Sequence, residues 1–287
     1  MTAITDTIAE MRRHHRRRRF AMKEQQRSER SLESFLRENA TDWSPSMSEA
    51  EREIRNKMVH AIIKTVRDGD TASPFADMVL MSDQSREPWT RTRDVSEKAM
   101  GKLAMTLPVY PWIESIRGAG ALGLATIVAE TGDLANYPNP AKVWSRLGFA
   151  PYDGFAGSSW KRETWRPRAL TKEEWIEHPF SGSRYALMHQ IAVWLVNAQW
   201  IGKAKSESGE GEPNGPYGDV YAARRKHAMK THADWTDGHR RMDALRITMK
   251  AFLKDLWVEW HRAAEQVAEP PPKKKRSRKS DEPRIGA

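Results

Sequence analysis

The run from Ile113 to Val128, I-E-S-I-R-G-A-G-A-L-G-L-A-T-I-V, sets the tightest limit on what this chain can build. Ile113 and Ile116 end one apolar helix, Gly118 and Gly120 frame a short turn, and Ala121 to Thr131 carry the spacing of a second helix. Glycine at both turn positions opens backbone conformations closed to other residues, and it removes side chains that would hold the amides away from a phosphate. The turn leads directly into a helix N-terminus, where free amides and the helix dipole favour an anion. The pattern is that of a helix-hairpin-helix, and it makes Arg117, Gly118, Ala119, Gly120 and Gly123 candidate DNA contacts. A tight packed corner between two apolar helices would use the same Gly-Ala-Gly sequence, so spacing alone leaves both readings open.

Charge points toward a polyanion. The 287 residues carry 48 Lys and Arg against 38 Asp and Glu, a formal net charge of +10, which favours nucleic acid over a membrane as partner. No apolar run approaches the roughly 18 to 20 residues of a spanning helix, and the N-terminus lacks the apolar stretch of a secretion signal. The expectation is a soluble, cytoplasmic protein. With no cysteine, disulfides and thiolate-bound zinc are excluded. His227, His232, His239 and Asp243 offer metal-ligating side chains, but only His239 and Asp243 share a helix face, and the residues between them are basic. No metal and no cofactor is expected.

Four regions follow from the pattern of charge and breaks. Residues 1–46 form a basic helical arm: Ile4, Ile8 and Met11 keep helical spacing, the run Arg12 to Arg19 interrupts it, and Leu32, Phe35 and Leu36 resume it. This is one long helix or two shorter ones. Its apolar stripe is too narrow to fold alone, so the arm is expected to pair with another helix, in a coiled coil within this chain or with a second copy. The arginines either line a DNA backbone or form a solvated face. Residues 47–106 read as a helical linker region. Ser48 and Glu51 make a capping box for a helix through Met58, Ile62 and Val66 that stops at Asp68-Gly69-Asp70, a short extended piece is expected around Met78 to Met81, and a further helix runs from about Asp94 to before Pro108.

Residues 107–268 hold the hairpin and most of the apolar helices, and residues 269–287 read as a disordered basic tail whose P-P-P-K-K-K-R-S-R-K run resembles a localisation signal or a backbone-binding tail. Within the third region Asn139-Pro140 caps a helix that carries Lys142 and Arg146 on one face, with Val143 and Leu147 on another. Phe149 to Gly182 is loop-rich, with Trp160, Lys161, Arg162, Trp165, Arg166 and Arg168 close together, so that bases could stack on tryptophans flanked by cations. Most of the twelve tryptophans must nevertheless be core. Thr171 and Glu174 frame a short helix ending at Pro179. Tyr185 to Trp200 forms an apolar helix with Leu187, Ile191, Trp194, Leu195 and Ala198 as core, Gly202 to Gly218 a mobile loop, and two helices follow, about Asp219 to His232 and Asp237 to Val267. The last has Met242, Leu245, Met249, Phe252, Leu256 and Trp260 as its buried stripe.

The order of these pieces carries more than any one of them. A glycine hairpin, then E-T-G-D-L, then N-P-A-K-V-W-S-R-L-G-F-A-P, a glycine-serine turn, and G-S-R-Y before a long apolar helix resembles the C-terminal transposase domain of the insertion-sequence-110 (IS116/IS110/IS902) family, over about Leu107 to Ala264. The resemblance implies a mainly α, helix-hairpin-helix-containing transposase-like domain preceded by a helical arm, in a bacterial or phage-encoded, nucleoid-associated protein of DNA recombination. It makes Lys142, Arg146, Arg184 and the 158–168 loop candidate DNA contacts. Family members pair an RNase H-like acidic domain with a serine-bearing C-terminal domain, and act as multimers with a structured RNA.

Two departures bear on chemistry. Residues 1–106 are too short and too helical for an RNase H-like sheet, so the acidic metal site of the family is not expected here. Counted from Pro151, the family's serine falls on Ala156, with Ser158 and Ser159 beside it as candidate nucleophiles. Serines in a glycine-rich turn serve equally as turn formers. The leading expectation is a DNA-binding protein related to insertion-sequence transposases, acting in recombination, transposition or their regulation. One alternative is a serine-dependent recombinase completed by a separate RNase H-like subunit, and another is an RNA-binding or assembly protein.

Overall fold

The computed structural model describes residues 2–152, 155–156, 181–202 and 211–268, and these are mainly helical. Helix α1, Thr2–Ala40, is a single element, consistent with a stretch free of glycine and proline. Helix α2, Glu49–Arg67, opens on the expected capping box. The Ser48 hydroxyl accepts from the Glu51 amide at 3.3 Å, and the Ser48 amide donates to the Glu51 carboxylate at 2.8 Å. The helix closes at Asp68, and Gly69 follows at φ 111°.

Helix α3, Ala76–Met105, corrects two expectations: the piece from Met78 to Met81 is helical rather than extended, and the helix begins well before Asp94. It does so through an interior proline, Pro88, which removes one intrahelical hydrogen bond. Pairing with α1 compensates along the helix. Phe20 meets Trp89 edge-on at 5.5 Å, Gln25 donates to Thr90 at 2.6 Å, and Ser28 lies 3.0 Å from Ser85. Near the far end of α1, Arg67 holds both Glu29 and Asp83, over a small apolar cluster of Leu32, Leu36, Val59, Ile63, Val66, Ala76 and Val79. The arm therefore finds its helical partner inside the chain. Residues 2–105 form three helices and no sheet.

The other end of α1 enters the main core, where Ile8 and Met11 join α5, Ala121–Thr131. Every residue of α5 from Gly123 to Thr131 is buried. A helix apolar all round must be enclosed on every side, and α5 is packed by α1, by α3, by the short helix α4, Tyr110–Glu114, and by α7, Gly182–Ala198. Leu124, Ile127 and Val128 are essentially inaccessible, and each contributes roughly 1.5 to 3 kcal/mol by leaving water.

A 3-10 turn, Leu134–Asn136, leads to α6, Pro140–Arg146, where the Asn139 side chain caps the Lys142 amide at 3.2 Å. Strands β1, Pro151–Tyr152, and β2, Phe155–Ala156, pair antiparallel, as do β3, Trp200–Ile201, and β4, Glu212–Pro213. Helices α8, Pro216–Thr231, and α9, Asp237–Ala268, complete the fold.

Three further expectations are revised. Met242 of α9 is 41% exposed, although Leu245, Met249, Phe252, Leu256 and Trp260 are buried as expected. Trp194 of α7 is 43% exposed and Ala198 is also exposed, while Met188, Ile191, Ala192, Leu195 and Val196 take the core positions. Helical spacing defines a stripe, but the neighbours decide which edge of it is covered. Residues 211–218 are held rather than loose. The buried Gln199 accepts the Tyr217 amide at 2.8 Å on its side-chain oxygen and the Asn214 amide at 2.8 Å on its carbonyl, and Gly218 has no room for a Cβ against the Gln199 backbone. No helix among the described residues is long and apolar enough to cross a membrane.

Candidate nucleic-acid interface

The turn between α4 and α5 has an inner and an outer side. Gly118 sits at φ +87°, and a Cβ there would lie 2.8 Å from the Ala198 Cβ, 2.9 Å from the Leu195 Cα and 2.9 Å from the Trp194 carbonyl. Its glycine is demanded by the backbone and by the close approach of α7 at once. Ala119 is buried, and Gly123 is buried facing Ile191. Gly120 is different. It is exposed, open space surrounds it, and it caps α5 with no side chain satisfying the first amides. Arg117 is exposed beside it, its guanidinium on the Asn214 carbonyl and its own carbonyl accepting from Gln199 at 2.9 Å. Arg117 and Gly120 thus reach the surface, whereas Gly118, Ala119 and Gly123 take the packing side.

On α6, Lys142 and Arg146 are exposed while Val143 and Leu147 are buried, as the face assignment required. Ser158, Ser159, Trp160, Lys161, Arg162, Trp165, Arg166 and Arg168 lie outside the described residues, as do the helix framed by Thr171 and Glu174 and the basic tail. Ala156, on which the resemblance puts the family's serine, is in β2. Of the histidine group, His232 stacks on Trp235 at 4.0 Å. Asp243 is held by Arg224 and Arg246: burial pushes its carboxyl up, but their hydrogen bonds bring it below the usual range.

The C-terminal end of α5 gathers charges that the sequence pattern named separately but did not bring together. Glu130, 7% exposed, accepts from His15 at 2.9 Å and Arg19 at 3.1 Å on one oxygen, and from Arg184 at 2.9 Å on the other. Arg12 donates to the Ala129 carbonyl at 3.3 Å and Arg146 to the Glu130 carbonyl at 3.2 Å, which satisfies helix-end acceptors that otherwise lack partners. Burial pushes the Glu130 carboxyl up, yet the hydrogen bonds of His15 and Arg184 and the nearby charges of His15 and Arg19 bring it down to about 2. The carboxylate is ionised at neutral pH.

Each residue of E-T-G-D-L has a part in this joint. Thr131 gives its carbonyl to the Tyr137 hydroxyl at 2.9 Å, and Gly132, at φ +87°, leaves the space in which the Arg12 guanidinium lies. Asp133 caps Ala135 and accepts from the Trp260 indole, both at 2.9 Å, and Leu134 is fully buried. Just before G-S-R-Y, Ser181 caps α7, and the motif itself, in the first turn, delivers Arg184 to Glu130. Two separate motifs of the chain therefore meet in one ion pair.

Residues 110–171 match the family described as Transposase IS116/IS110/IS902. This part of the chain is similar to that family. The match begins at the first residue of α4 and takes in the glycine turn, α5, α6 and the paired strands β1 and β2, so it includes Arg117, Gly120, Glu130, Lys142 and Arg146. That similarity supports a role in transposition or recombination. No curated protein and no solved structure matches the chain.

Proposed function

We propose that this protein binds duplex DNA through the transposase segment, in transposition, recombination or their regulation. The observation that carries the reading is the coincidence of the family match with an exposed, uncapped helix N-terminus at Gly120. The amides of the first turn of α5 offer a phosphate what a side-chain cap would otherwise occupy. Arg117, Lys142, Arg146 and Arg184 supply cations, and the basic loop through Trp160, Lys161, Arg162, Arg166 and Arg168 belongs to the same reading. Residues 107–268 are the DNA-binding unit of this proposal, residues 1–46 and 47–106 the helical support, and residues 269–287 a backbone-binding tail. A homo-oligomer, a structured RNA and a separate RNase H-like subunit enter on the family resemblance. Exposed Ile54, Met58, Leu80 and Met81 supply apolar surface for self-association.

The test is duplex binding over a range of salt, with log affinity falling against log salt at roughly 0.9 per phosphate neutralised. Gly120→Asp separates the interface from the fold. Aspartate is a good N-cap, and the φ of −65° and open space at this site admit it, so the melting temperature should hold. Its carboxylate would occupy the anion position, and binding should weaken about tenfold, equivalent to roughly 1.4 kcal/mol. Unchanged affinity in the folded variant removes the turn from the interface.

A further inference from the structure

We propose that the pocket around Glu130 is a phosphate site for the backbone of bound duplex DNA, an inference that rests on the DNA-binding reading and gives it a second, side-chain-built contact. The pocket, about 330 Å³, is lined by Arg12, His15, Arg16, Arg19, Arg146 and Arg184 around the Glu130 carboxylate. Among the described residues, five guanidinium groups thus face a single negative charge.

Capping the end of α5 does not account for that excess. The Ala129 and Glu130 carbonyls use one Nε–H each of Arg12 and Arg146, leaving the terminal guanidinium hydrogens of both. Arg12, Arg16 and Arg146 have no carboxylate partner among the described residues, and Arg16 is exposed. Like charges gathered this closely repel one another, and an anion entering between them relieves that cost with charge-assisted hydrogen bonds. The buried His15, which also lines the pocket, has its Nδ1 without a hydrogen-bond partner. Glu130 does not repel the incoming anion in proportion to its charge, because three donors already occupy it. Its part is to orient Arg19 and Arg184.

The shape favours a nucleic acid over free phosphate. Arg19 lines both this pocket and a neighbouring groove of about 560 Å³, whose wall includes Leu187, Ile191 and the exposed Trp194. A phosphate held by the arginines would have an apolar surface beside it for the attached sugar.

The experiment compares arginines of one basic run. Arg16→Ala and Arg146→Ala remove cations from the pocket, whereas Arg13→Ala and Arg17→Ala remove equally charged, exposed side chains of α1 that do not line it. In the full chain, each pocket variant should bind duplex DNA at least about fivefold more weakly and lower the salt slope by about one. The two controls should change affinity less than about twofold. Arg16 makes no intramolecular hydrogen bond among the described residues, so its variant should melt like the parent and keeps the test decisive if Arg146→Ala unfolds. Inorganic phosphate should displace DNA more than chloride at equal ionic strength, and this excess should vanish in Arg16→Ala. Equal losses in all four variants overturn the pocket, as does dependence on Arg16 seen with RNA but not with duplex DNA. Failure of the parent protein to bind DNA overturns the functional reading beneath it.

Discussion

The two ends of α5 make opposite use of the helix dipole. At the N-terminus the backbone itself is positive and the turn is nearly bare, with Gly120 open to solvent and Arg117 tied to the Asn214 carbonyl. At the C-terminus the backbone is negative and buried Glu130 adds a full charge, yet five arginines converge there. The first end attracts an anion through groups that are contiguous in the chain. The second does so through side chains delivered by α1, α6 and α7, with the helix end and Glu130 as their anchor. Under the two proposals, a nucleic-acid site is written locally, in glycine spacing, or assembled from distant elements, and only the local kind shows in a short motif.

The comparison breaks most readily at Gly118. If the inner side of the turn is a packing joint, Gly118→Val should destabilise the fold by about 3 kcal/mol or more, because a branched side chain at positive φ would meet the α7 backbone. Gly120→Ala, two residues away, should cost less than about 1 kcal/mol. Thermal melting that gives the two variants similar midpoints would erase the distinction between the inner and outer sides.

At the other end, Glu130→Gln should cost roughly 2 to 4 kcal/mol in urea unfolding at neutral pH, since it removes the buried carboxylate that Arg19 and Arg184 pair with. The sign of the acid response is fixed by the lowered carboxyl. Because the folded group titrates at about 2 and the ordinary value is 4.5, its stabilisation is present above about pH 4.5 and is lost as pH falls toward 2. Glu130→Gln should flatten that acid limb between pH 5 and 2. A variant whose stability falls as steeply as the parent's over this range would show that other carboxylates govern it.

The smallest effect is expected at Trp194, which lines the groove next to the pocket. Trp194→Ala should cost less than about 1 kcal/mol in the same unfolding measurement, because much of the side chain is already in water. A loss equal to that of Glu130→Gln would assign it to the core instead.

What the sequence determined by itself was local: the mainly helical character, the uninterrupted potential of α1, the capping box of α2, the asparagine cap and proline start of α6, and the glycine turn that lies in the matched segment. Those features depend on residues within about one turn of each other, which is the reach of capping and helical periodicity. Tertiary structure decided the rest. Contacts with α1 carry α3 through Pro88, against the proline's own preference. The approach of α7 turns Gly118 inward, and Gln199 holds the segment from Gly211 to Gly218 that composition alone marked as loose. Glu130 was legible as part of E-T-G-D-L and the arginines as a basic run, but their meeting was not. His15 and Glu130 are 115 residues apart, and the free energy that joins them exists only once packing has removed both from water.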